Sequence, residues 1–457
     1  MSQEAAPAAA ATAPPPHVLP VCYPSQDHVN PTLRFTKRLA AKGLLVTCCT
    51  TSGAGAQIAA AASSSPGVLS SGRDGDSVPV GLGRVRFKFL DDRGNEKDDL
   101  MRYFAMSAPA AFAELLGRQA AAGRPVACVV GNPFRPWSCA VFSIYYHYAR
   151  GLVELPPEDD PEARVALPGF PPLSTAEVPS FLLPSNPLKL LAGAAILGQF
   201  RSIDRASWVF VNSFSELERG VLAELPGVTP RPPQLIPVGP LIELEEDGGD
   251  AVRGDMFEAA DDFVGWLDTQ APRSVAYASV GSVVVLSAEE VAEMAHGLAS
   301  TDRPFLWVVR SGTRPLLPEG FLDAVAGRGV VVPWCLQERL QAHAATACFL
   351  THCGWSSTLE TVAAGVPVVA FPQWGDQCTD AKFLVEELGM GVVREAVDAA
   401  VAGPEADSMR ARARSWSAVA RAAVAAGGSL DRNVQAFVDE VMRRASGRQA
   451  TDVTSSG

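Results

Sequence analysis

The stretch Trp334–Gln377, WCLQERLQAHAATACFLTHCGWSSTLETVAAGVPVVAFPQWGDQ, decides how the rest of this chain is read. It alternates strand and helix signals. Val330 to Val332 are a short β-branched run ending at Pro333, and Gln337 to Ala344 have the Ala, Leu and Arg content of a helix. Cys348 to Thr351 are a second apolar run, closed by His352-Cys353-Gly354-Trp355 and followed by Ser356-Ser357-Thr358. The hydroxyls open a helix, with Ser357 and Glu360 at capping-box spacing. A helix that starts at the carboxyl end of a buried strand aims its free N–H groups and positive dipole end into a crevice, which suits phosphate. Ser356, Ser357 and His352 add donors there. Trp334, at the end of the preceding strand, offers an indole on which a base can stack, a contact worth roughly 1 to 3 kcal/mol. Glu360, one turn into the helix, can accept two ribose hydroxyls. Asp376 and Gln377 follow the strand Val366 to Phe371 and offer an acceptor and an amide to sugar hydroxyls.

Taken singly, a Trp or His in such a place is more often structural than a ligand contact. Their joint order carries more. The stretch is 44 residues long and resembles, without a gap, the donor-binding signature of plant family 1 UDP-glycosyltransferases. The resemblance implies uracil stacked on Trp334, Gln337 near uracil and ribose, Glu360 on the ribose, and His352 and Ser357 on the phosphates. It places Trp355, Asp376 and Gln377 around the sugar, with Cys335 and Gly354 among the donor-binding positions. Ser356 stands where the family usually has Asn. A terminal Gln goes with glucose more often than galactose, so the implied donor is UDP-glucose, with no metal and no further cofactor. A Gly turn after a strand, Ser279-Val280-Gly281-Ser282, is an ordinary β-to-α turn by itself; the resemblance makes Ser282 a further phosphate contact.

Composition bounds the rest. At 457 residues the chain accommodates two domains of about 200 residues each. Its 38 basic and 50 acidic residues leave a net charge of −12, which argues against nucleic acid or an anionic membrane as partner. No apolar run reaches the roughly 18 residues of a membrane span. The nine cysteines show neither CxxC nor metal-ligand spacing, and several sit in apolar runs, as expected of buried thiols in a reducing, cytoplasmic setting. The opening MSQEAAPAAAATAPPP lacks the pattern of a secretory signal and reads as a disordered tail over residues 1–16.

Earlier in the chain, His17 to Tyr23, Leu44 to Thr51, a buried run Val126 to Val130, and Trp208 to Asn212 read as strands, with Pro31 to Lys42 a helix. The acidic, Gly-rich segment 241–260 reads as a linker between an acceptor-binding domain, 17–240, and a UDP-sugar-binding domain, 261–428. The expected architecture is α/β: two Rossmann-like domains facing a central cleft, the GT-B type in the resembled family. Val434, Phe437, Val438 and Val441 form an i, i+3, i+4, i+7 stripe on a last helix, 429–444, which in that family packs back on the N-terminal domain. Residues 445–457 read as a second tail, and the protein as a monomer.

After the first strand comes Pro24-Ser25-Gln26-Asp27-His28-Val29-Asn30-Pro31. A His opening a helix at a strand's carboxyl edge can act as general base toward an acceptor oxygen, and the family carries its catalytic His in this loop. Asp27 replaces a small residue. Asn132 stands where the family's His-orienting Asp belongs; its carbonyl can orient a ring but balances an imidazolium poorly. That favours acceptors already ionised, such as carboxylates. NPFRPW, YYHYARGL, FPQWGDQ and DRNVQAFVDEV resemble the acid-glucosylating and limonoid branch. Both lines suggest glucose transfer, with inversion, to an aromatic or indolic carboxylate. Glucosylation of a phenolic or terpenoid hydroxyl, or UDP-sugar binding without turnover, stays open. Beside the family pattern the chain is short after Asn132, by about one helix and most of one strand, so the N-terminal domain reads as shortened; a second shortening follows Val393, in the UDP-sugar-binding domain. A nicotinamide site at Gly53-Ala54-Gly55-Ala56 lacks the third glycine.

Overall fold

The structure, a computed structural model, describes residues 14–61, 77–92, 100–132, 137–225, 233–242, 254–260, 263–393 and 397–455. Most of the expected first tail, the linker residues 243–253, residues 133–136 of the NPFRPW run and residues 394–396 lie outside these. The aliphatic runs of the first half form β1 (His17–Cys22), β2 (Leu45–Thr51), β3 (Val78–Val80), β4 (Gly83–Leu90) and β5 (Val126–Asn132), in the order β3-β4-β2-β1-β5, with only β3 antiparallel. Two small pairs follow: β6 (Val165–Leu167) with β7 (Phe170–Leu173), and β8 (Val209–Val211) with β9 (Leu235–Pro237). The second half forms β10 (Val275–Ser279), β11 (Phe305–Val308), β12 (Gly329–Val332), β13 (Thr346–Thr351), β14 (Val368–Ala370) and β15 (Gly391–Val393), all parallel, in the order β12-β11-β10-β13-β14-β15.

Both sheets therefore contain a topological switch point. In the first, the chain runs outward from β1 to β2 and β4, then returns to place β5 on the other flank of β1. In the second it runs outward from β10 to β12 and returns to lay β13 beside β10. Crevices open at the carboxyl ends of strands at such points, and the segments after β1, β10 and β13 carry His28, Ser282 and the run His352–Glu360, with further candidates after β12 and β14.

Three expectations are corrected. The run at Val126 is a strand but not a buried one: β5 is half-exposed, and Val129 is 44% exposed. Its apolar composition suggested a neighbour on each side, whereas among the described residues β5 pairs with β1 alone and β8 belongs to a separate small sheet. The helix expected from Pro31 spans Gln26–Ala41 with Pro31 inside it. Its first turn is set by the Ser25 carbonyl, which accepts the N–H groups of His28 (3.0 Å) and Val29 (2.9 Å). The last helix, Ser429–Ser455, continues through most of the expected second tail.

The stripe on that helix does close the N-terminal core. Val434, Phe437, Val438 and Val441 are buried with Leu33, Phe35, Leu39 and Val46. Phe437 meets Trp208 and Phe210 edge-on, each with ring centroids 5.0 Å apart. Truncating it empties an aromatic-sized site, which costs about 3–5 kcal/mol. Phe437→Ala should lower the urea midpoint accordingly; a loss under about 1 kcal/mol would show that the helix is not an integral part of this core.

Candidate functional site

A cleft of about 570 Å³ lies between the domains. One wall is the first helix, through Gln26, Asp27, Asn30 and Arg34; the other is built from the turns after β10, β12, β13 and β14. The turn after β13 is the tightest. Within three residues the chain leaves Thr351 and enters the helix Trp355–Ala364, and Cys353 adopts φ +63°, a left-handed conformation rare for a residue with a side chain. The Thr351 hydroxyl accepts the Cys353 N–H at 3.0 Å, and Cys353 itself is fully buried. Space beside the turn is reserved for the His352 ring. A Cβ on Gly281, at φ +73°, would come within 2.6 Å of that ring, and one on Gly354 within 2.5 Å.

The helix then opens toward the cleft. Its first main-chain bond is Thr358 N–H to Gly354 C=O, which leaves the preceding N–H groups outside the ladder. Gly354 is the N-cap and contributes no side chain, so the expected Ser357–Glu360 capping box does not form. Ser357 and Glu360 are engaged elsewhere. Gln337 donates through Nε2 to Ser357 Oγ (2.9 Å) and Glu360 Oε2 (2.6 Å), while its Oε1 accepts from Tyr277 Oη (2.9 Å). Tyr277 is buried and stacked on Phe349, and burial pushes its hydroxyl far above the usual tyrosine range, so it serves as a neutral donor. Ser356 Oγ is buried with no hydrogen-bond partner among the described residues. A helix start with free N–H groups, an unsatisfied hydroxyl and an imidazole beside it has the chemistry that suits a diphosphate.

The remaining candidates fall around that centre. Trp334 lines the cleft with Phe257 against it, centroids 4.5 Å apart. Ser282 lines it too, its carbonyl held by Arg310. Cys335 lines the floor, but burial pushes its thiol up to about 12, so it is inert packing. Trp355 departs from the expected role at the sugar: its indole is buried among Phe214, Leu359 and Phe383 and donates to the Asn212 carbonyl at 2.6 Å. Its contribution to the cleft is the main chain of the helix start. Asp376 and Gln377 are buried at the cleft's far end; Gln377 Oε1 accepts the Gln373 N–H (2.9 Å), which leaves its NH₂ end as the donor. His28 is 2% exposed behind Asp27, its Nε2 3.8 Å from Asp27 Oδ2. Asn132 pairs with Cys22 at the ends of adjacent strands, its main chain close to the His28 loop; its side chain is outside what the structure describes. The Gly53 run is not a phosphate site, because Asp92 accepts its N–H (2.9 Å) and the Ser52 hydroxyl (2.6 Å).

Residues 255–399 match the family described as UDP-glucoronosyl and UDP-glucosyl transferase. The chain is 41% identical to a cinnamate β-D-glucosyltransferase of Fragaria ananassa, over 93% of this chain and 83% of that one. It is 39% identical to a limonoid UDP-glucosyltransferase of Citrus unshiu, over 93% and 90%. This chain belongs to the UDP-glycosyltransferase family. Its fold superposes on the crystal structure of Os79 from O. sativa in complex with UDP with a TM-score of 0.79 and 28% identity, over 93% of this chain and all of that one. It is a two-domain GT-B enzyme that transfers glucose from UDP-glucose to a small molecule. Among the described residues, no helix is long and apolar enough to cross a membrane.

In this glycosyltransferase the residues that sequence reasoning missed are those that lock the others. Arg34 and Tyr277 hold the Gln337–Glu360 pair, and Asp27, Asn30 and Arg34 are a polar i, i+3, i+7 stripe on an otherwise buried helix, a pattern that marks them. Beside Asp376 and Gln377, Glu218 accepts the N–H groups of Cys139 and Ala140, both at 2.9 Å, and Ser138 caps the same helix, Cys139–Ala149, while donating to Asp380 Oδ1 at 3.1 Å. Asp380 is wholly buried. Burial first, then the charges of Asp376 and Glu218, hold its carboxyl well above the usual carboxylate range. The folded chain thus keeps a proton that the unfolded chain releases near pH 4, so this group opposes folding increasingly as the pH rises from there. Asp380→Asn, an isostere of the protonated acid, should match the wild type most closely at the acid end and melt progressively higher than it as the pH rises above the ordinary carboxylate range. A gap that stays constant with pH would contradict the assignment.

Proposed function

We propose that this enzyme transfers glucose, with inversion, to the carboxylate of a small aromatic or indolic acid, giving a β-glucose ester. The observation that supports the reading is a single cleft with the first helix on one wall, where Asp27 lines the cleft and His28 lies buried just behind it, and the unsatisfied helix start at Ser356 on the other, each at its own sheet's switch point. The donor would lie on Trp334, Gln337, Glu360, His352, Gly354, Ser356, Ser357 and Ser282, its sugar toward Asp376 and Gln377. His28, oriented by Asn132, would steer the ionised carboxylate toward the anomeric carbon, and would have a proton to take only from a hydroxyl acceptor. A carboxylate acceptor is ionised at neutral pH and asks little of that base, which fits an Asn at position 132. The cinnamate β-D-glucosyltransferase similarity supports the same class. Nine free thiols, several deeply buried, fit a reducing, cytoplasmic setting, and the protein is read as a monomer. The aligned stretch with that relative runs over 474 positions, more than this chain contains, so the relative carries residues with no counterpart here. With the open flank of β5, this supports a shortened N-terminal domain.

One observation favours a hydroxyl acceptor instead. Asp27 lines the cleft beside His28, where its charge would repel a carboxylate and balance the charge the ring gains on taking a proton from an alcohol or phenol. Product analysis by mass spectrometry over a panel of cinnamates, indole acids and flavonols decides between them. The ester reading predicts hydroxylamine-labile glucosides of the acids, and a loss in His28→Ala smaller than the roughly 10²-fold or more that removing the general base of a hydroxyl acceptor costs. Products formed from flavonol hydroxyls and never from carboxylates would refute it.

A further inference from the structure

Arg34 sits on the acceptor-side wall and reaches across the cleft. Its Nη1 donates to the Leu241 carbonyl (2.9 Å) and lies 3.3 Å from Glu360 Oε1, and its Nη2 lies 3.0 Å from Glu338 Oε1. Its side chain is 11% exposed, so these contacts are only partly screened by water. Glu360 is thereby gripped at both oxygens, Oε1 by Arg34 and Oε2 by Gln337. We propose that Arg34 is a positioning residue for the donor nucleotide, holding Glu360 ready to accept the ribose hydroxyls. The inference rests on the UDP-sugar reading of this cleft.

Two arguments support it. Each carboxylate oxygen can accept more than one hydrogen bond, so a Glu360 fixed by Arg34 and Gln337 still has a lone pair on each oxygen for a ribose hydroxyl. Ordering the carboxylate beforehand removes an entropy cost from binding. Charge is the second argument. Among the described residues, Asp27, Asp255, Glu338, Glu360 and Asp376 line the cleft, against the guanidiniums of Arg34 and Arg339. A diphosphate entering such a site meets repulsion, and Arg34 neutralises the carboxylate placed closest to the ribose. The planar guanidinium serves three acceptors on three parts of the chain, which an ammonium cannot reproduce.

Calorimetric titration with UDP and with 2′,3′-dideoxy-UDP tests this on the wild type, Arg34→Met and Arg34→Lys. Arg34→Met should weaken UDP roughly tenfold or more, the loss expected when a hydrogen bond to a charged group is disordered, while its affinity for the dideoxy nucleotide stays close to the wild type's. Arg34→Lys should fall between. An equal loss on both nucleotides would mean that Arg34 acts on the phosphates, the base or the fold, and overturns the inference; so would no loss on either. Should Arg34→Met fail to fold, Arg34→Lys carries the comparison, and its UDP penalty should vanish in a Glu360→Gln background. Failure of the wild type to bind UDP would instead sink the donor reading.

Discussion

A buried parallel strand that must become a helix within three residues is the constraint on which this active site depends. β13 ends at Thr351, Cys353 takes a left-handed conformation, and Gly354 caps a helix whose first N–H groups have no partner in the ladder. The turn is possible because positions 281 and 354 are glycines and yield their space to the His352 ring. Core burial on either side, Cys353 and Leu359 among the contacts, holds it in place. An anion-binding corner arises from this packing without any excess of positive charge, in a chain of net charge −12.

Polar order radiates from that corner. Tyr277, Gln337, Glu360 and Arg34 form one connected chain of hydrogen bonds from a strand of the second sheet, through two helices, to the first helix of the other domain. At the opposite end, Glu218, Ser138 and Asp380 tie the helix Cys139–Ala149 to the helix Gln377–Lys382, which opens at Asp376 and Gln377. These two ties are how a first domain with an open sheet edge still meets the donor half at defined points. The last helix adds a third, through Phe437 on Phe35, Trp208 and Phe210.

Much of this was legible in the sequence, and unevenly so. The second domain was readable because its strands are continuous apolar runs and its site residues lie in one uninterrupted segment. The same rule misled at β5, where an apolar run suggests burial but the neighbouring strand is lacking; composition reports what a strand could bury, not what stands beside it. Spacing suggested a cap from Ser357 and Glu360, yet both are claimed by Gln337, a contact 20 and 23 positions away. The Trp355 indole was assigned to the sugar although it anchors to Asn212, 143 positions earlier. Arg34 and Glu360 are 326 positions apart, a pairing that no local periodicity can show.

On the proposed reading, two switch-point crevices, one in each domain, jointly hold a nucleotide sugar and an acceptor for direct displacement at the sugar's anomeric carbon. Proton NMR of the glucoside formed from UDP-glucose tests it most directly, through the coupling of the anomeric proton. The account predicts a single β-anomer, the inverted configuration. An α-glucoside, or release of free glucose with no acceptor product, would contradict it.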